Sequence, residues 1–201
     1  VKPEKEEIEH VNKLAKTFLE KLNSGLKDAK AVIGGSVAKG TWLKGGHDID
    51  IFVKYPLKFK DKDISILLEK DIKKVFKEVS KIHGSRDYFK IEYSGYIFEI
   101  IPVLKVESPE KAENITDASP FHTDWVKSKL TEKLHNEIRL TKAFCKANKL
   151  YGAESYIKGF SGFVTEILTI HYGSFEELVK AAMKWQIGEI IGNKQHAKKL
   201  N

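Results

Sequence analysis

The spacing of apolar positions predicts a mixture of helices and strands in the first half of the chain. Two stretches carry apolar residues at the spacing of an amphipathic helix, and four shorter apolar runs are typical of strands. The predicted helices cover residues 4–24 and 64–79, and the predicted strands cover residues 31–33, 48–53, 87–93 and 96–106. Ser94-Gly95 joins the last two strands in the manner of a tight hairpin.

The strand predicted over 96–106 is apolar on both of its faces. Ile97 and Ile101 lie on one face, whereas Phe98 and Ile100 lie on the other. A strand of this kind is typical of the centre of a sheet that helices cover. We therefore expect it to be the central strand.

The second half of the chain has a helical pattern almost throughout. Helices are predicted over residues 121–149, 154–172 and 174–201. The sequence therefore predicts an α+β fold, with an α/β domain over residues 1–110 and an all-helical domain over residues 111–201.

Charge points to a polyanionic partner. The 201 residues carry a formal net charge of +7, which favours nucleic acid. Only Arg86 and Arg139 among the 35 basic residues are arginine. Lysines act as point charges and suit a phosphate backbone better than base edges, so we expect backbone contacts to dominate.

Several classes of protein are disfavoured by the sequence. It contains no apolar run of about 18 residues, so we expect no membrane span. Cys145 is the single cysteine, which excludes an internal disulfide and a cysteine-based zinc site. The charged residues at its start do not form a signal-peptide pattern. These features predict a cytoplasmic protein.

Two acids one residue apart are the strongest chemical signal. Side chains at i and i+2 of a strand point the same way, so Asp48 and Asp50 share a face. Like charges at the end of an apolar strand are costly unless a cation neutralises them. Carboxylate oxygens are ligands that Mg²⁺ prefers, usually together with substrate phosphates. The pair therefore predicts a metal and a phosphate.

Two further features support that hypothesis. Gly34-Gly35-Ser36 follows a predicted strand, where glycines let a backbone approach an anion closely. Glu99 stands alone in an apolar strand, so it requires either a metal or a salt bridge to a lysine. Together with the two aspartates, these residues favour a metal-dependent nucleotidyl-transfer site.

Three other residues have plainer interpretations by residue type. His47 is best explained as a loop histidine near the site rather than part of a His-Asp metal signature. His122 suggests a helix cap, and Tyr151 suggests a packed aromatic residue at a helix end.

Longer segments carry a resemblance to a known family. They are residues 35–45, 48–52, 99–102, 119–122, 136–140, 146–154, 159–163 and 172–175. The segments Thr41-Trp42-Leu43 and Gly159-Phe160-Ser161-Gly162 are the most specific. Through them the chain resembles the archaeal, class I CCA-adding enzymes, which are tRNA nucleotidyltransferases of the polymerase-β superfamily.

The resemblance implies a fold and a reaction. The fold is a polymerase-β-type nucleotidyltransferase domain with a mixed sheet, followed by an all-helical central domain. The reaction is template-independent transfer of CMP and AMP from CTP and ATP to the 3′ end of tRNA. By position, Asp48, Asp50 and Glu99 are the catalytic residues and the ligands of Mg²⁺ in a two-metal mechanism.

The resemblance also implies a set of nucleotide-binding residues. They are Gly35, Ser36, Lys39, Ser119, His122, Lys142 and Tyr151. Ser36, Lys39, Lys142 and Tyr151 would hold the triphosphate, whereas Ser119 and His122 would lie against the incoming nucleotide or the primer end. This implication reverses the plainer interpretations of His122 and Tyr151.

The chain departs from the family at four of these positions. Asp48 stands where the family usually has glutamate, and Glu99 where it usually has aspartate. Each exchange of one methylene keeps the charge and moves the carboxylate oxygens. Lys39 stands where arginine is frequent, and Ser119 replaces threonine.

The family members are also longer than this sequence. They continue with a strand-rich part and a tail that grips the tRNA, so we expect a catalytic fragment or a split or minimal enzyme. In the split case, a second chain supplies the C-terminal domains. Two alternatives stay open: another nucleotidyltransferase, of the poly(A) or oligoadenylate type, and a non-catalytic RNA-binding or partner module.

Overall fold

A computed structural model describes residues 1–46, 48–153 and 156–191 of the chain. Its helices are α1 (Lys5–Gly25), α2 (Gly35–Lys39), α3 (Ile64–Ile72), α4 (Ile115–Lys129), α5 (Glu132–Ala147), α6 (Gly162–Tyr172) and α7 (Phe175–Ala182). Its strands are β1 (Lys30–Ile33), β2 (Asp48–Tyr55), β3 (Ser80–Ile82), β4 (Tyr88–Tyr93) and β5 (Tyr96–Leu104). In the described part of the chain, no helix is both long and apolar enough to cross a membrane.

The chain folds as two compact units. The first is Val1–Ser128 and the second is Lys129–Asn201. The domain limits predicted from the sequence, 1–110 and 111–201, follow the change in sequence pattern rather than compactness and stay a prediction.

A five-stranded mixed sheet forms the centre of the first unit. Its strand order is β1-β2-β5-β4-β3. Strands β2 and β5 are parallel, while every other neighbouring pair is antiparallel. The mixed sheet and the central place of β5 confirm the sequence predictions. Ser94 and Gly95 both have positive φ, at 52° and 79°, as a two-residue hairpin turn requires.

The hydrophobic core lies on one face of this sheet. Phe18 of α1 is fully buried and stacks on Phe98 of β5, with the two ring centroids 3.7 Å apart. Phe76 also stacks on the Phe18 ring, with the two ring centroids 4.9 Å apart. Apolar side chains of α1 and α3 line the same core. Burial of this apolar surface is what fixes the sheet and the two helices together.

The opposite face of the sheet is partly open. Ile97, at the start of β5, is 37% exposed. The expectation that helices cover both faces is therefore wrong at this end of the strand. This open end is the part of the sheet that carries the acidic residues.

The predicted helix over 64–79 is wrong in its second half. Helix α3 ends at Ile72, and the chain then turns before the unpredicted strand β3. Val75, Phe76 and Val79 nevertheless pack against the core from the turn and the segment after it. Their spacing therefore reflects the burial of these side chains and not a helix. In a short segment, the period of apolar residues cannot distinguish the two.

The predicted helix over 121–149 is two helices. Helix α4 begins earlier and contains Pro120, and α5 begins after Thr131, whose side chain accepts a hydrogen bond from the Leu134 amide at 3.3 Å. A threonine in this position caps a helix start because it satisfies a free N–H group.

The predicted helix over 154–172 also begins too early. Glu154 and Ser155 lie outside the described residues, and residues 156–161 are not helical. Helix α6 begins after Ser161, whose hydroxyl caps the Val164 amide at 3.2 Å.

Truncation of Phe18 tests the core. Phe18→Ala is expected to lower the free energy of unfolding by about 3–5 kcal/mol, because it removes a buried ring that stacks on two others. Urea unfolding followed by circular dichroism measures the change. Ile66→Ala, at a side chain that is 58% exposed, is the control and should change stability by no more than about 0.5 kcal/mol. Equal losses in both variants would contradict this account of the core.

Candidate active site

Strand pairing brings the predicted acids onto one face of the sheet. Asp50 of β2 lies directly opposite Glu99 of β5 in the parallel register. Asp48 precedes Asp50 by two residues and points the same way. Asp48 is exposed, while Asp50 and Glu99 are half-buried. The three carboxylates are therefore on neighbouring strands at the open end of the sheet.

Glu99 is engaged by a lysine. Lys90 lies opposite Glu99 in the antiparallel β4–β5 register, and its Nζ is 2.8 Å from Glu99 Oε1. This hydrogen bond raises the pKa of Lys90 against the lowering effect of burial, and the negative charges of Glu99 and Asp48 raise it further. The salt-bridge alternative proposed for Glu99 is thus present in the structure. Among the described residues, no three His, Cys, Asp or Glu side chains are gathered closely enough to hold a metal.

The sequence contained a signal for this pair. A two-residue turn at Ser94-Gly95 pairs Tyr93 with Tyr96. Three residues further from the turn on each strand, the same register pairs Lys90 with Glu99. The partner could therefore have been found from the hairpin alone. The salt-bridge alternative for Glu99 left the lysine unnamed, and the hairpin register identifies it as Lys90.

Gly35 approaches Asp50 too closely for any side chain. Its φ is +55°, and a Cβ atom there would lie 1.6 Å from Asp50 Oδ2. The preceding Gly34 donates its N–H to the Asp50 carbonyl at 2.8 Å, which extends the strand pairing to the start of α2. The glycine turn predicted from the sequence is therefore packed directly on the second acid of the pair.

Helix α2 carries two of the predicted phosphate ligands. Ser36 and Lys39 are three residues apart, which puts them on neighbouring positions of one helical face. Lys39 is only 8% exposed, so its charge lies close to the protein interior. Gly40, with a φ of +65°, ends the helix in the left-handed conformation that favours glycine.

Helix α4 carries Ser119 and His122. His122 lies within the helix, so the helix-cap interpretation is wrong. Burial lowers the pKa of His122, and the positive charge of Lys39 lowers it further. The imidazole is therefore neutral at neutral pH, and it is close enough to α2 for Lys39 to act on it.

A buried ion pair links α4 to the sheet. Asp117 is 1% exposed and accepts hydrogen bonds from both terminal nitrogens of Arg86, with Nη2 at 3.0 Å from Oδ2. It also accepts the Leu104 N–H at 2.7 Å, and Arg86 donates to the Pro102 carbonyl at 3.2 Å. Removal of one partner of such a pair costs about 3–5 kcal/mol. Sequence reasoning assigned no role to Arg86 or Asp117, since their contact joins distant segments.

A cavity of about 200 Å³ opens beside Glu99. Its lining includes the polar side chains of Ser119 and Arg86 and the aromatic residues Tyr88 and Phe52. The cavity therefore combines apolar surface with polar groups next to the third acid. Such a lining suits a small ligand that has an apolar ring and polar edges.

The second unit holds the two remaining predicted ligands. Lys142 is 3% exposed, and its Nζ lies 2.6 Å from Oε1 of the fully buried Glu166. Tyr151 forms an isolated bridge with Phe160, and Lys146 Nζ lies 5.1 Å from the centroid of its ring. The triphosphate roles of Lys142 and Tyr151 stay predictions. His47 lies outside the described residues.

Two family models match the sequence. The model described as a nucleotidyltransferase domain matches residues 11–122, and the model described as the second domain of tRNA nucleotidyltransferase matches residues 136–201. The first match includes the whole sheet, α2 and the start of α4. The second covers most of the helical unit.

The sequence is also similar to archaeal CCA-adding enzymes. That of Nanoarchaeum equitans is 43% identical over 194 residues, which cover 96% of this chain and 49% of that protein. That of Sulfurisphaera tokodaii is 40% identical over 191 residues, which cover 92% of this chain and 45% of that protein. These similarities confirm the resemblance seen in the sequence. The chain spans about half the length of these relatives.

Solved structures share the fold. The chain matches that of a cytoplasmic RNA terminal U-transferase with a TM-score of 0.61 at 19% identity, over 86% of this chain and 49% of that one. It matches CdnC of E. coli MS115-1, determined with ATP, with a TM-score of 0.63 at 21% identity, over 92% of this chain and 67% of that one. At this identity the matches bear on the fold alone, and they confirm the predicted polymerase-β-type arrangement.

Gly35→Ala tests the contact with Asp50. The new Cβ would overlap the Asp50 carboxylate, so we expect Gly35→Ala to be about 1–3 kcal/mol less stable than Gly45→Ala in urea unfolding. Gly45 is the matched control because its φ is also positive, at +72°, and nothing lies within 4 Å of a Cβ added there. Equal stability of the two variants would contradict the close approach.

The lowered pKa of His122 predicts a stability change with pH. The unfolded chain binds a proton at His122 more readily than the folded chain does, so stability falls as the pH drops below about 6.5. His122→Asn should lose less unfolding free energy than the unmodified protein between about pH 7.5 and about pH 5. Urea unfolding at the two pH values measures the difference. The control is His10→Asn, at an exposed histidine. If both replacements have the same effect, burial of His122 is not the cause of the loss of stability at low pH.

Proposed function

We propose that this chain, which belongs to the nucleotidyltransferase domain family, adds nucleotides to the 3′ end of tRNA without a template. Membership in the family rests on the match to residues 11–122, more than half of the chain. The proposal of CCA addition rests on relatives that are CCA-adding enzymes and on the match of residues 136–201 to a tRNA nucleotidyltransferase domain. The observation that carries it is the placement of Asp50 between Gly35 and Glu99.

The proposed substrates are CTP, ATP and a tRNA that lacks its terminal CCA. The net charge of +7 suits a polyanionic RNA. The relatives are about twice as long as this sequence, and a second chain that supplies their remaining part is included in the proposal. We also propose that the reaction takes place in the cytoplasm, where a single buried cysteine is chemically unremarkable.

The acids suit a divalent cation by their chemistry. Asp48 and Asp50 present carboxylates on one face of β2, and Glu99 lies in the next strand in register with Asp50. Hard oxygen ligands of this kind favour Mg²⁺ over softer metals. We propose that these three residues hold Mg²⁺ ions. When bound, the ions would neutralise phosphate charge and lower the pKa of the RNA 3′-hydroxyl.

The other residues have proposed roles in holding the nucleotide. Gly35 and Ser36 start α2 beside the acids, and the buried Lys39 follows one turn later. We propose that they contact the triphosphate. Lys39 would stabilise the charge that develops on the pyrophosphate as the bond between the α- and β-phosphates breaks.

Four further side chains have proposed roles in binding the substrates. The neutral imidazole of His122 and the hydroxyl of Ser119 can donate or accept hydrogen bonds, so both suit the incoming nucleotide or the primer end. Lys142 and Tyr151 of the helical unit are proposed to contact the triphosphate. Because Lys142 is buried against Glu166, its contact would require rearrangement of that pair.

The proposed reaction is an in-line displacement. The 3′-hydroxyl of the RNA gives up its proton to water as its oxygen attacks the α-phosphorus. The new phosphodiester bond forms while the bond between the α- and β-phosphates breaks, and pyrophosphate leaves. The protein contributes mainly by holding the reacting groups in line. Template independence means that base choice must come from protein and RNA surfaces rather than from pairing.

One observation favours a second candidate function. Glu99 is paired with Lys90, as expected for an acid that has lost its metal-binding role. In that case the chain would be an RNA-binding or partner-docking module without catalysis. Such a module should bind tRNA and show no metal-dependent binding of a triphosphate.

Asp50→Asn tests the proposed reaction. The variant keeps the shape of the side chain and removes its charge, so we expect incorporation of labelled CTP and ATP into a tRNA that ends at the discriminator base to fall about a thousandfold. Primer extension resolved on a denaturing gel measures it. Asp61→Asn, at an exposed acid outside the site, is the control and should keep full activity.

Two outcomes would decide against the proposal. Full activity of Asp50→Asn would exclude the acid pair as the catalytic centre. Absence of incorporation by the unmodified chain, alone and with the second half of a relative added, would favour the non-catalytic module.

A further inference from the structure

Lys90 occupies a position that no proposed step uses. It is the central residue of β4 on the acid-bearing face, and it lies in one row with Glu99 and Asp50 across three neighbouring strands. Its ammonium group is 2.8 Å from Glu99, and its electrostatic interaction reaches Asp48 as well. The positively charged ammonium group of Lys90 therefore lies beside the carboxylates that we assign to a divalent cation.

We propose that Lys90 is a positioning residue that competes with the divalent cation for Glu99. In the paired state the ammonium holds the Glu99 carboxylate toward β4, and binding of the divalent cation releases the lysine toward solvent. This inference rests on the proposed function only in assigning the acids to a divalent cation.

The lengths of the side chains support the competition. A glutamate at this position reaches further than an aspartate by one methylene, which lets its carboxylate extend to Lys90 on the opposite strand. Lys90 is 36% exposed and has a flexible four-carbon stem, so its ammonium can swing into water at small cost. Lys90 and Glu99 are half-buried rather than enclosed, so water screens their attraction, which a divalent cation can readily exceed.

The pairing of Glu99 with Lys90 bears on how the three acids are arranged in the structure. With Glu99 directed to Lys90, the described residues contain no group of three ligating side chains close enough for a metal. Asp48 and Asp50 remain on their common face in either state because the strand holds them there. The third ligand is thus the adjustable part of the site.

Binding of Mn²⁺ to the full chain tests the inference. Isothermal titration with Mn²⁺ in the presence of CTP is expected to give about three- to tenfold tighter binding for Lys90→Met than for the unmodified protein. Lys90→Gln should behave in the same way, and Lys90→Arg should keep the original affinity. Lys81→Met is the matched control, because Lys81 is similarly exposed, at 33%, and is also paired with an acid, Asp87, at 2.9 Å. Lys81 lies opposite Phe89, whose side chain is on the core face rather than on the face that carries the acids.

A second background separates competition from simple charge repulsion. In the Glu99→Gln background, Lys90 has no carboxylate to hold. The gain in Mn²⁺ affinity on Lys90→Met should therefore be smaller, by a factor of at least about three, than the gain in the protein that keeps Glu99. An equal effect in both backgrounds would overturn the inference, as would unchanged or weaker binding in Lys90→Met. Failure of both the unmodified chain and Lys90→Met to bind Mn²⁺ would overturn it too.

The result is independent of the tRNA reaction. If the Mn²⁺ affinities change as expected while no nucleotide is incorporated, the competition stands and the proposed function fails. If nucleotides are incorporated while Lys90→Met does not tighten Mn²⁺ binding, the proposed function stands and the competition fails. In an active enzyme, Lys90→Met should also reach half-maximal rate at a lower Mn²⁺ concentration, which a purely structural role would not cause.

Discussion

The parallel pairing of β2 with β5 is the constraint on which the candidate site depends. It places Asp50 opposite Glu99 and, through the alternation of each strand, turns Ile51 and Ile100 into the core. A slip of one residue would send an acid into the core and an isoleucine into water, so the apolar face fixes the register. The packing around Phe18 therefore specifies the site as well as the fold.

A close backbone contact and a positive charge determine the surroundings of the two acids that this register brings together. On one side of Asp50, Gly35 leaves no room for a side chain, which fixes the glycine turn against the acid. On the other side, Lys90 supplies a positive charge to Glu99. Asp50 thus meets backbone on one side of the site, whereas two long side chains, those of Lys90 and Glu99, meet on the other.

Much of the fold could be predicted because its signals are local. The positions of the strands, the hairpin at Ser94-Gly95 and the shared face of the acids follow from alternation and turn chemistry. The end of α3 could not be predicted, because Phe76 is buried just after the turn that follows the helix, at a spacing that a longer helix would also give. The role of Arg86 was equally invisible, since its bond to Asp117 joins segments 31 residues apart.

The sequence by itself determined which chemical groups are present and which of them share a face. The order of Gly35, Asp48, Asp50 and Glu99 was sufficient to predict a nucleotidyltransferase, because residue spacing along a strand sets side-chain direction without help from the rest of the chain. Tertiary structure alone decided that β5 is the neighbour of β2, and that Gly35 packs on Asp50. Those outcomes depend on strand order and burial, which arise from contacts between distant segments and are not encoded in any one of them.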